Sequence, residues 1–203
     1  MIGILNFDMG NIGSVVNMFK KIGVQSIVVN TEAQLEQCDK YILPGVGAFN
    51  SGMKNIKTSS LYPPLVKKIL EENRPILGIC LGMQLLFEKS DEGTEKGLCW
   101  IPGTVKKFQF DSAKNDLKIP HMGWNYINRE KKSSIFGEAV DKERYYYVHS
   151  YHVCCDDKFV LARATYGYEF VCSVQKGNIY GMQFHPEKSH KFGLKLFKNF
   201  AEL

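Results

Sequence analysis

Hydrophobic positions fall into two regimes along the chain. In the first half, short apolar runs alternate with stretches of helical spacing. Ile2 to Phe7 reads as a strand, and Ile12, Val15, Val16, Phe19 and Ile22 recur at the period of an amphipathic helix over Asn11 to Ile22, with Gly23 ending it. Ser26 to Val29 is a β-branched strand. Thr31 and Gln34 stand at capping-box spacing before a short helix. Lys40 to Leu43 predicts a third strand, Phe49 to Asn55 and Pro64 to Glu72 two helices, Ile76 to Ile79 a buried strand, and Leu81 to Glu88 a helix. Strands alternating with helices predict a three-layer α/β fold around a parallel sheet.

The second half changes character. Asp91 to Gly103 is a polar, glycine-bearing loop. Thr104 to Phe110, Tyr145 to Val148, Phe159 to Ala164, Val171 to Gln175 and Ile179 to Gln183 read as strands, with turn signals at Tyr166-Gly167 and Lys176-Gly-Asn178. They are expected to add antiparallel strands to the same sheet or to build a small second one. Lys191 to Leu203 closes as a helix. No repeat, low-complexity segment or linker interrupts the pattern, so residues 1–203 are expected to form a single domain.

Composition narrows the function classes. The net charge is +5, but the lysines are scattered in short doublets rather than gathered into a patch, so no nucleic-acid partner is expected. The six cysteines contain no C-x-x-C pair, which argues against a zinc site or a disulfide framework, and no motif calls for a metal or cofactor. No stretch approaches transmembrane length and no basic n-region precedes the first apolar run. The expected setting is the cytoplasm, without a membrane partner.

Candidate chemistry begins at Gly78-Ile-Cys-Leu-Gly82. Cys80 sits where strand turns into helix, flanked by glycines in the G-x-nucleophile-x-G pattern of a nucleophile elbow. The helix N-terminus beneath the sulfur favours a thiolate and can hold an oxyanion. Taken alone, Cys80 fits a small buried hydrophobe as well. The second stretch is Gln183-Phe-His-Pro-Glu187. Pro186 keeps His185 extended, and residues two apart in an extended segment share a side, so Glu187 can orient His185 as a base. Cys80, His185 and Glu187 then make a nucleophile–base–acid triad. The third is Pro44-Gly-Val-Gly47. Backbone N–H groups of Val46 or Gly47, with that of Leu81, can form a two-donor oxyanion hole.

Gly78-Ile-Cys-Leu-Gly-Met-Gln84 together with Gln183-Phe-His-Pro-Glu187 resembles the triad, or class I, glutamine amidotransferases. Met9-Gly-Asn-Ile12, Pro44-Gly-Val-Gly-Ala-Phe49, Pro120-His-Met-Gly-Trp-Asn125, Val148-His-Ser-Tyr151 and His185-Pro-Glu-Lys-Ser189 narrow this. That set is similar to the glutaminase subunits of imidazole glycerol phosphate synthases, over nearly the whole chain.

The resemblance implies the three-layer amidotransferase-like fold, a mostly parallel central sheet with added antiparallel strands. It implies that Cys80 attacks the side-chain amide of L-glutamine, that His185 protonates the departing ammonia, and that water releases glutamate from a thioester. It places Gln84, Glu92, Ser150 and Tyr151 around the substrate. It also implies a separate (β/α)8-barrel cyclase as heterodimer partner, which takes up the ammonia. Asn11, Trp124 and Lys188 fall in motifs that face the barrel in that family; a local structural role is the alternative for each.

Two departures keep other readings open. The first strand runs into Asn6-Phe-Asp-Met-Gly10 where family members often carry Asp-Tyr-Gly, and His190 follows Ser189 where the biosynthetic subunits often have Gln. They bring in a paralogue that feeds ammonia to amidation of a surface-polysaccharide sugar. A stand-alone cysteine hydrolase of the same fold and a non-catalytic binding subunit are the remaining alternatives.

Overall fold

The structure is a computed structural model that describes residues 1–110 and 117–203. The chain opens with β1 (Ile2–Leu5), α1 (Ile12–Lys21), β2 (Ser26–Val29), α2 (Glu32–Glu36), β3 (Lys40–Gly45), α3 (Phe49–Thr58) and α4 (Tyr62–Val66). α4 continues into a wider helical turn over Lys67–Glu71, followed by β4 (Ile76–Cys80) and α5 (Leu81–Leu85). Then come β5 (Lys89–Ser90), β6 (Thr104–Lys107), β7 (His121–Tyr126), β8 (Asn128–Arg129), β9 (Arg144–His149) and β10 (Tyr151–Cys154). β11 (Val160–Tyr166), β12 (Tyr168–Lys176), β13 (Ile179–Met182) and α6 (His190–Glu202) complete the chain.

The predicted helix starts have their physical causes in place. Thr31 Oγ1 accepts the Gln34 backbone N–H at 3.3 Å while Gln34 Oε1 accepts that of Thr31 at 3.1 Å, so two otherwise orphaned donors at the start of α2 are paired. The helix expected over Leu81 to Glu88 stops at Leu85. A returning segment takes its carbonyls instead: Leu98 N–H donates to Leu85 O at 2.8 Å and Trp100 N–H to Leu86 O at 2.9 Å. The main sheet runs in the order β2-β1-β3-β4-β13-β12-β10-β6-β5. Pairing is parallel from β2 through β13 and antiparallel where β12 joins β13 and β10, with β11 added beside β12 and β8 beside β11. β7 and β9 form a separate antiparallel ribbon.

Two apolar layers sandwich the parallel part of the sheet. Leu77 and Ile79 of β4 belong with Val15, Phe19, Phe197 and Phe200 of α1 and α6, where the Phe19 and Phe197 rings lie 4.9 Å apart. Ile76 belongs with Met53, Ile56, Leu65 and Ile69 on the other side. A fully buried aliphatic or aromatic side chain contributes about 1.5–3 kcal/mol, so these layers fix β4 between β3 and β13 from both faces. The carboxyl ends of β3, β4 and β13 therefore meet at one edge, the place where open α/β sheets bind ligands. Among the described residues no helix is long and apolar enough to cross a membrane.

Candidate active site

The elbow is built by close packing. Cys80 ends β4 and precedes α5 with φ 55° and ψ −108°, a left-handed conformation that costs a non-glycine residue about 1–3 kcal/mol. Its neighbours must be glycine. A Cβ on Gly78 would come 2.6 Å from Gly82 O, and one on Gly82 would overlap the backbone carbonyl of Leu43 in β3. The packing that excludes those atoms presses α5 against β3 and holds the sulfur up at the sheet edge.

His185 is positioned by β9. Its backbone N–H donates to Tyr146 O at 2.8 Å, its carbonyl accepts Ser189 Oγ–H at 2.6 Å, and Ser189 Oγ accepts the Tyr146 N–H at 3.0 Å. The backbone is extended, at φ −102° and ψ 93°, as Pro186 requires of it. His185 Nδ1 lies 2.7 Å from Glu187 Oε1, and both side chains are buried, at 0% and 4% exposure. Nε2 has no hydrogen-bond partner of good geometry among the described residues, yet the Cys80 side chain is close enough to act on the ring. Burial pulls the imidazole's pKa down; the hydrogen bonds and charges of Cys80 and Glu187 outweigh it and hold the pKa up at about 10. An imidazolium beside sulfur is what a thiolate nucleophile needs, and its proton is available to a leaving group.

A cavity of about 310 Å³ opens above Cys80. Val46, Gly47, Leu81, Gln84, Glu92, Ser150, Tyr151 and His185 line it, so the residues expected for triad, oxyanion hole and substrate are brought to one place, with Glu187 behind His185. Gly47 adopts φ +104° in this wall. Glu92 Oε2 accepts the Phe49 N–H at 2.9 Å, which pins the loop after α5 to the start of α3. Pro120, Val148 and His149 line the cavity too and were not singled out from sequence as site residues.

The three expected interface residues lie outside the cavity. Trp124 is 42% exposed, stacked 5.5 Å from His190 with the Arg144 guanidinium 5.3 Å over its ring. Lys188 Nζ stands 5.7 Å over the Tyr146 ring, which lies 6.3 Å from Trp124. Asn11 is the N-cap of α1, accepting the Ser14 N–H at 3.2 Å, so its side chain has the local role as well. Among the described residues no group of three or more His, Cys, Asp or Glu side chains is arranged to hold a metal ion.

The family model of class-I glutamine amidotransferases matches residues 4–203. Imidazole glycerol phosphate synthase subunit HisH 2 of Methanococcus maripaludis is 49% identical over 203 residues, covering 100% of this chain and 99% of that one. The chain belongs to the class-I glutamine amidotransferases, in the HisH family. HisH proteins of Leptospira borgpetersenii (subunit HisH) and Pseudomonas aeruginosa (subunit HisH 2) are 45% and 42% identical over 204 residues, each with 100% of both chains covered. Among solved structures, a glutamine amidotransferase superposes with TM-score 0.75 at 19% identity, covering 99% of this chain and 97% of that one. PurLQS from Thermotoga maritima gives 0.72 at 20%, covering the same shares, which supports the amidotransferase fold.

Proposed function

We propose that the chain is the glutaminase subunit of an imidazole glycerol phosphate synthase, working as one domain over residues 1–203 in the cytoplasm. The observation that carries the reading is the buried His185–Glu187 pair beside a strained Cys80 at the edge of the central sheet. In this reading the Cys80 thiolate attacks the side-chain carbonyl carbon of L-glutamine. The carbonyl oxygen gains charge, and N–H groups of Leu81 and of Val46 or Gly47 receive it. His185 gives its Nε2 proton to the departing nitrogen, leaving a γ-glutamyl thioester and ammonia. Nε2 then takes a proton from water, which attacks the thioester, and glutamate and thiolate are released. Glu187 holds the imidazole in one orientation and stabilises its charged form. Glu92 receives the substrate's ammonium group, with Gln84, Ser150 and Tyr151 on the remaining walls.

Ammonia free in water would be protonated and lost, so it passes directly to a (β/α)8-barrel cyclase. There it completes imidazole glycerol phosphate and releases an aminoimidazole carboxamide ribonucleotide. Trp124, Tyr146, Lys188 and Arg144 form a half-exposed aromatic and basic surface suited to an acidic rim on that partner. A second reading has one observation in its favour: two of the relatives are numbered HisH 2, which leaves room for a paralogue serving surface-sugar amidation. Measuring glutamate release from glutamine, with and without the barrel subunit and its nucleotide ligand, tests the proposal. Low activity alone and a large rise in the complex support it; full activity in the isolated chain overturns the partner-dependent part.

A further inference from the structure

Gln183 is fully buried, and the mechanism above leaves it without a task. It follows β13 directly. The parallel register sets Gly181 against Gly78 and Met182 against Ile79, so one residue further Gln183 comes abreast of Cys80. Its Nε2 lies 3.7 Å from Cys80 Sγ.

The two ends of a carboxamide have the same shape, so the end that faces the sulfur is decided by its partners. Gln84 decides it. Gln84 Nε2 lies 3.1 Å from the Tyr151 carbonyl oxygen, which can only accept, so that end of Gln84 is the amino group. The same nitrogen lies 3.0 Å from Gln183 Oε1 and donates its other hydrogen there. Gln183 is left with its amino group toward the sulfur. The Tyr151 carbonyl is held in turn by His149 Nδ1 at 2.7 Å, which fixes the tautomer of His149 and directs its Nε2 to His121 Nδ1 at 3.0 Å. The orientation of the Gln183 amide is thus imposed from outside the reacting groups.

The sulfur has use for such a donor. Val148 O is 3.9 Å away and can only accept, so it suits a thiol and opposes a thiolate. The other titratable groups around the site are His185 and, behind it, Glu187, with His149, Glu92 and the Tyr151 phenol lining the cavity. His185 has to give up its proton during turnover; an amide N–H keeps its own throughout.

We propose that Gln183 is a further residue of the glutaminase reaction: its side-chain N–H donates to the Cys80 sulfur and holds the thiolate in place for attack, with Gln84 setting the direction of the amide. The same donor stabilises the thiolate when it leaves the thioester. The inference rests on Cys80 being the nucleophile.

The test is alkylation of the full-length chain with iodoacetamide across a range of pH, read cysteine by cysteine by peptide mapping. Exposed Cys154 serves as the internal reference and buried Cys38 and Cys172 report any loss of fold. Gln183→Met keeps length and removes the donor. Gln183→Glu keeps an acceptor for Gln84 but turns a carboxylate toward the sulfur. A hydrogen bond to a charged group predicts Cys80 alkylation at pH 7 about tenfold slower in Gln183→Met, slower again in Gln183→Glu, with the rate profile displaced to higher pH. An unchanged Cys80 rate and profile in either folded variant overturns the inference. If both variants unfold, the wild type decides by NMR. One glutamine side-chain amide proton must follow the pH profile of Cys80 alkylation and cease to do so in Cys80→Ser; absence of such a signal overturns it. Undiminished glutamine turnover in Cys80→Ala would strike instead at the nucleophile reading beneath it.

Discussion

Replacing Glu187 by glutamine separates orientation from charge in the proposed triad. His185 Nδ1 and Glu187 Oε1 are 2.7 Å apart and both side chains are buried. Charge centres about 4 Å apart interact by about 4 kcal/mol at an effective dielectric constant of 20. The amide of Glu187→Gln keeps a neutral hydrogen bond worth roughly 1 kcal/mol. The difference, about 3 kcal/mol against the imidazolium, corresponds to a fall in kcat of about two orders of magnitude. KM for glutamine should move little, because Glu187 lies behind His185 and does not line the cavity.

Stability should respond differently from activity. Relieving the burial of a carboxylate offsets much of the lost attraction, so the Tm at pH 7 should shift by only a few degrees. The pH dependence has a definite sign. A histidine held up at about 10 in the fold contributes stability that is complete below its ordinary 6.5 and is lost as pH rises through about 10. In Glu187→Gln the loss should be complete at a lower pH. Glutamate release by the complex, with kcat and KM separated, and thermal melts from pH 6 to 10 measure both. A kcat within threefold of wild type, or a fall confined to KM, would refute the reasoning.

Other perturbations address other layers of the structure. Gly82→Ala drives a Cβ into the Leu43 carbonyl and should cost about 1–3 kcal/mol, read as a lower Tm with loss of glutaminase activity. Trp124→Ala should weaken binding of the barrel by about 2 kcal/mol, measured by titration calorimetry, while leaving the fold and alkylation of Cys80 unchanged. Arg129→Met leaves buried Glu143 without its 2.7 Å partner, and denaturant unfolding should show a loss of about 3–5 kcal/mol. Burial lowers His149 to about 3, with the Tyr151 carbonyl opposing it and the neighbouring histidines adding a little, and burial lowers His121 to about 4. Both are neutral in the fold at pH values where an unfolded histidine is charged. Tm should therefore fall as pH drops below 6.5 toward 4, with proton uptake on unfolding; a flat Tm over that range would contradict it.

The elements read correctly from sequence are those whose signal is local. The capping box at Thr31, the buried run into Cys80 and the Pro-fixed His185 each carry their cause within a few residues. β7 was missed because its alternation is inverted. His121, Gly123 and Asn125 point inward, while Met122, Trp124 and Tyr126 are the exposed positions. Such a strand looks unlike a core element when apolar residues are assumed to face in. β10 was missed for a related reason: its inward position at His152 is polar, paired through Nε2 to the Tyr168 hydroxyl at 2.9 Å. Gln183 shows a further limit. A polar residue two positions before His185 is visible in the sequence, but its burial and its meaning depend on Gln84 and Tyr151, which only the fold brings to it.

The most direct test of the account compares Cys80→Ala with wild type in complex with the barrel subunit, measuring imidazole glycerol phosphate formed from glutamine and, separately, from added ammonium salt. The account predicts that glutamine-dependent synthesis is abolished while ammonium-dependent synthesis persists at the wild-type rate. Retention of glutamine-dependent synthesis, or loss of both, would contradict it.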